Sequence, residues 1–140
     1  MPKDYIVELV DQLGRALEAI IALRKRNPAK ALDDIDAAFS TTKFKSKAFF
    51  DALSNDELRA FIWENDVDYR ALDTLIDFLL EEVDIRLDIA AAANNDQLLS
   101  KIDALIGYTF ERERELKIFS LKRNPQRERL KFLAEKWKKK

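Results

Sequence analysis

With 140 residues, 47% hydrophobic and 36% charged, the chain has the length of one ordinary domain and needs no metal or disulfide staple to bury a core. It contains no Cys and no His, which removes the usual thiol nucleophile together with the commonest general base and neutral metal ligand. Two Gly and three Pro, with almost no alternation of apolar and polar residues, leave little from which to build a sheet and its turns, so the expected fold class is all-α.

Taken in chain order, Ile6, Leu9, Val10, Leu13, Leu17, Ile20 and Ile21 recur at steps of three and four. They predict a first helix with one buried face, capped at its start by Asp4. Arg24, Lys25 and Arg26 suit the negative end of its dipole. Asn27 and Pro28 signal a second helix, since Asn caps well and a first-position Pro loses no hydrogen bond. Ala31, Leu32, Ile35, Ala38 and Phe39 are its buried face. After a polar loop over 40–45, residues 47–53 predict a short helix. Ser54 with Glu57 then forms a capping box for a fourth helix, whose Leu58, Phe61, Ile62 and Trp63 are expected to pack with Phe49 and Phe50.

Asp66 or Asp68 caps a long fifth helix running to about residue 93, with Asn94 and Asn95 as its stop. A sixth begins near Asp96, carries Leu98, Leu99, Ile102, Leu105, Ile106 and Phe110, and dissolves into the charged run 111–115. Asn124 and Pro125 repeat the earlier cap signal and place a basic C-terminal helix at about 125–138. Residues 1–140 therefore read as a single helical domain of about seven helices. The longest unbroken apolar run, 89–93, is far short of the ~20 residues that span a bilayer. The first residues lead straight into an amphipathic pattern with no signal-peptide core. A cytoplasmic protein without a membrane span is expected.

Leu13, Gly14 and Leu17, followed by Ala31, Ile35 and Ala38, resemble the tetratricopeptide consensus, in which a small residue lets paired helices approach closely. The spacing from Gly14 to Ala31 is longer than in that consensus. Residues 4–17 (DYIVELVDQLGRAL), 46–58 and the stretch around Phe119, Ser120 and Leu121 are similar to a family of uncharacterised bacterial tetratricopeptide-like proteins. That resemblance implies an antiparallel helix-hairpin array and a cytoplasmic location, and it implies no catalytic residues.

Charge is unevenly distributed. Residues 51–110 hold 14 acidic and four basic side chains, and residues 116–140 hold two acidic and ten basic, a polarity of −10 against +8 inside a net charge of −1. Asp73, Asp77, Glu81, Asp84 and Asp88 recur at steps of four, four, three and four and stack on one strip of the fifth helix, where each like-charged neighbour pair costs about 0.2–0.5 kcal/mol. The strip is open to three readings: a solvated face, a contact with the basic C-terminal segment within or between chains, or a site for a basic peptide. Its carboxylates point outward in parallel and do not converge on a divalent ion, so neither metal nor other cofactor is expected. Leu72, Leu75, Ile76, Leu79, Leu80, Val83 and Leu87 on one side, with Phe78, Ile85 and Ile89 on the other, give that helix two sets of neighbours.

Lys122, Arg123, Arg127, Arg129 and Lys131 interleave with Leu130, Phe132, Leu133 and Trp137. These cations are candidate anion-binding residues for nucleic acid or an acidic surface, set against a docked terminal helix with a solvated tail. There is no Gly-rich phosphate loop, no metal-ligand spacing and no nucleophile beside a base, so no enzyme is expected. The expected function is a helical-repeat protein–protein interaction module that takes a protein, a peptide or a second copy at Asp73, Asp77, Glu81, Asp84 and Asp88. Nucleic-acid or anionic-surface binding through the basic segment is the alternative.

Overall fold

A computed structural model describes residues 2–89 and 95–139, with side chains from Tyr5 onward. Among these residues are seven helices and no strand: α1 (Pro2–Leu23), α2 (Pro28–Phe39), α3 (Lys47–Ala52), α4 (Asn55–Glu64), α5 (Tyr69–Asp88), α6 (Asn95–Glu115) and α7 (Arg123–Lys138). No described helix is long and apolar enough to cross a membrane.

Four helix starts are fixed locally. The Asn27 side chain accepts from the Lys30 N–H with Pro28 in the first turn of α2, Ser46 accepts from the Phe49 N–H, and both halves of the Ser54–Glu57 capping box form. Of the two aspartates before α5, Asp68 is the cap, accepting from the Arg70 N–H. Asp66 instead closes α4. It adopts left-handed backbone with φ 49, its N–H donates to the Trp63 carbonyl, and the Val67 N–H donates to the Ile62 carbonyl, the reciprocal pair that ends a helix tightly.

The other boundaries differ from the sequence reading. Asp4 lies inside α1, which starts at Pro2. α5 stops at Asp88 with Ile89 as its C-cap; residues 90–94, and with them Asn94, lie outside the described residues. Asn95 opens α6 rather than ending α5. The charged run 111–115 is helical, because Glu113 points inward one turn beyond buried Thr109 and meets Arg123 at 3.0 Å. α7 starts at Arg123, so Asn124 and Pro125 sit within its first turn and Lys122 makes no side-chain cap. First-turn N–H groups have no helical acceptor, which leaves Pro125 as well tolerated there as at the first position.

α5 is the central element, packed by α1, α2, α6 and α7, while α4 and α7 both lie on α6. That burial uses both apolar faces of α5: Leu72, Leu75, Ile76, Leu79, Leu80, Val83 and Leu87 are buried, as are Phe78 and Ile85, whereas Ile89 is exposed. Phe39, Phe44 and Phe50 form an aromatic knot with ring centroids 5.1 and 5.2 Å apart across Phe50, and Phe61 stacks on Phe44 at 4.9 Å. Each such ring contributes about 1.5–3 kcal/mol by leaving water, and together they anchor α3 and α4 to α2. Phe61 also meets Phe49 at 5.2 Å, as expected, but Trp63 faces solvent. A Cβ at Gly14 would find no neighbouring atom within 4 Å, so Gly14 does not mark a close helix crossing.

Candidate functional site

The spacing that stacks five carboxylates on α5 turns them toward the end of α1 and toward α7. Arg24, directly after α1, donates at 3.0 Å to each of Glu81, Asp84 and Asp88. Lys122 lies 3.2 Å from both Asp73 and Asp77, and Arg123 lies 2.6 Å from Asp73. Arg129 pairs with Glu81 and sits 3.3 Å from Asp84. Lys136 reaches Asp88 at 3.4 Å and Asp84 at 3.8 Å. Gln126 adds two neutral donors, to Asp73 at 2.9 Å and Asp77 at 3.0 Å. Every carboxylate of the strip is thus occupied within the chain.

The electrostatics follow from that geometry. The Glu81 residue is only 3% exposed, and a buried charge without partners would be strongly destabilising. Burial by itself would raise the Asp84 carboxyl, yet hydrogen bonds from Arg24 and Arg129 hold it below the ordinary carboxylate range. Burial likewise works against the charge on Arg24, and hydrogen bonds to Asp84 and Glu81 outweigh it, raising the guanidinium above its usual value. Lys122 is raised in the same way, its burial outweighed by Asp77 and Asp73. Of the five candidate anion-binding residues, Lys122, Arg123 and Arg129 are therefore engaged by carboxylates of α5, with Arg123 buried and Lys122 half-exposed. Arg127 stacks 5.0 Å over the Phe110 ring, and Lys131 is exposed with no ion pair among the described residues.

A second charged cluster ties α3, α5 and α6 together. Buried Lys47 lies 2.8 Å from both Glu82 and Asp51, and Arg86 lies 2.9 Å from Glu82. Lys101, 2% exposed, donates to the Phe50 and Asp51 carbonyls at 2.6 and 2.7 Å, stabilising the negative end of α3. Burial pushes its ammonium below the usual lysine range. The small cavity of about 80 Å³ beside Asp51, Glu82 and Lys101 has room for waters and little else. Sequence reasoning passed over both lysines, although Lys101 falls in phase with Leu98 and Leu105 on the apolar face of α6.

The larger concavity lies between α4, the start of α5 and the second half of α6. It encloses about 580 Å³, walled by Ile62, Trp63, Val67, Tyr69, Leu72 and Tyr108 and rimmed by Asp56, Arg59, Asp66, Glu111, Arg112 and Glu115. Trp63 stands 76% exposed at its edge. One wall is pinned: the Tyr108 hydroxyl donates to the Asn55 carbonyl at 3.2 Å, and the Arg59 guanidinium sits 5.2 Å over the Tyr108 ring and 3.5 Å from Glu111. Burial pushes the Tyr108 hydroxyl up, so it remains a protonated donor near neutral pH. Volumes of this order, with aromatic walls inside a charged rim, suit ligand side chains.

No protein-family model, no curated protein and no solved structure matches the chain. Among the described residues, no three His, Cys, Asp or Glu side chains converge to hold a metal ion. The groove went unread in the sequence because Trp63, Tyr69 and Tyr108 belong to three different helices.

Proposed function

We propose that the chain is a protein-interaction module, an array of helix hairpins in the tetratricopeptide style, whose partner surface is the aromatic groove between α4, α5 and α6. One observation carries this reading: Trp63 is 76% exposed beside a groove of about 580 Å³, while the acidic strip is already paired inside the chain. A large aromatic over an apolar hollow with a charged rim is the composition of a binding anchor. Such a groove takes the apolar side chains of a helix or an extended segment from another chain. The hairpin-array description is supported by the packing of consecutive helices, α1 on α2, α5 on α6 and α6 on α7, and by buried Ala31, Ile35 and Ala38 on α2. A photo-reactive phenylalanine at position 63, with position 18 on α1 as an exposed control, tests it in cells. One dominant cross-linked protein chain from position 63 and none from position 18 is the expected result. No product at 63, or the same products at both positions, contradicts the proposal.

A further inference from the structure

Leu116, Ile118, Phe119 and Leu121 follow one another in the corner between α6 and α7, and all four are exposed, Phe119 by 86% and Leu121 by 79%. The corner has a defined shape. Lys117 adopts left-handed backbone with φ 58, its N–H donates to the Arg114 carbonyl at 3.1 Å, and the Ile118 N–H donates to the Glu113 carbonyl at 2.8 Å. Ser120 Oγ accepts from the Lys122 N–H at 3.2 Å, and Lys122 and Arg123 then tie the segment to α5. Folding thus holds four large apolar side chains together in water, the mark of a surface that a partner covers.

The corner adjoins the groove, because Glu115, the last residue of α6, lines the groove and Leu116 opens the corner. Their charges are opposite. Around the corner, Arg114, Lys117 and Arg127 have no ion pair among the described residues. On the groove rim Asp56 and Asp66 have none either, whereas Arg59 faces Glu111 and Arg112 faces Glu115. A projection and a hollow of opposite charge, side by side, make a self-complementary region, the requirement for a two-fold interface.

We propose that this region joins two copies of the chain: each copy seats Phe119 and Leu121 in the other's groove beside Trp63, with Arg114 and Lys117 set against Asp56 and Asp66. The proposal rests on the groove being the partner surface and names the partner. A second copy covers the exposed corner and the exposed Trp63 at once, whereas an acidic bilayer would cover the corner and leave the groove open.

Light-scattering mass across the micromolar range tests it, using the full chain, the double variant Phe119→Asp/Leu121→Asp, the variant Trp63→Lys, and an equimolar mixture of the two variants. None of the three side chains is buried, so both variants keep the helical circular-dichroism spectrum. The wild type is expected at twice the 16.3 kDa of one chain and each variant alone at 16.3 kDa. The mixture is expected to regain mass above one chain, because the corner of the Trp63→Lys copy still finds an intact groove on the other.

A wild type that stays at 16.3 kDa overturns the inference, and so does a dimer that both variants leave intact. Sedimentation with phosphatidylglycerol vesicles that is lost in the corner variant but kept in Trp63→Lys assigns the corner to a bilayer and overturns it as well. A monomer that still cross-links from position 63 to a different protein sinks this inference and leaves the groove reading standing. Loss of that cross-link removes both.

Discussion

Asp84 shows what a single ionisable side chain does in this molecule. It lies between Arg24 and Arg129 at 3.0 and 3.3 Å, and its folded-state pKa is depressed despite burial because those guanidiniums donate to it. Asp68 moves the same way, its burial outweighed by hydrogen bonds from Arg70. A depressed carboxyl contributes stability that is fully present above its unfolded value, about 3.9, and is lost as pH falls through the lower folded value. The urea midpoint should therefore hold near neutral pH and drop below about pH 4. Asp84→Asn should lose about 2 kcal/mol at neutral pH, the scale of a hydrogen bond to a charged group, and should depend less steeply on acid than the wild type. Parallel acid profiles for the two proteins would place the sensitivity elsewhere.

At the scale of elements, what can be read from sequence is what is decided locally. Asn27, Ser54 and Asp68 cap through bonds to residues two or three positions on, and the apolar steps of α1, α2 and α5 report their own buried faces. Boundaries set from a distance cannot be read this way. α6 extends to Glu115 because Glu113 finds Arg123 on the next helix, and α7 begins where Arg123 is drawn toward Asp73 rather than where Pro125 allows. The acidic strip is legible as a row of like charges, but its partners stand 57 to 64 positions away at Arg24 and 45 to 53 away on α7, and no periodicity encodes that. Gly14 was legible only as a small residue inside a helical pattern. With no neighbour within 4 Å of its missing Cβ, Gly14→Ala should stabilise α1 by about 1 kcal/mol through helix propensity alone, read as a higher urea midpoint. A lower midpoint would restore the close helix approach that the tetratricopeptide resemblance implies.

For the whole molecule, the polarity of −10 against +8 within a net charge of −1 becomes a clamp. α5 carries the acids, while the end of α1 and the length of α7 carry the cations. α7 buries Arg123, Gln126 and Leu133 and packs Leu130, Ala134 and Trp137 against the core, so apolar contacts and ion pairs seat it together. These charges are drawn inward onto α5, and the partner surfaces we propose are instead the Trp63 groove and the apolar corner. Zero-length carbodiimide cross-linking of a dilute equimolar mixture of ordinary and nitrogen-15-labelled chains, read by mass spectrometry, tests that claim most directly. The expected products join Lys122 to Asp73 or Asp77 and Lys136 to Asp84 or Asp88, every one of them within a single isotopic chain. Mixed-isotope products at these pairs would show that the basic segment neutralises another copy instead of its own α5, and no product at any of them would show that the clamp does not form.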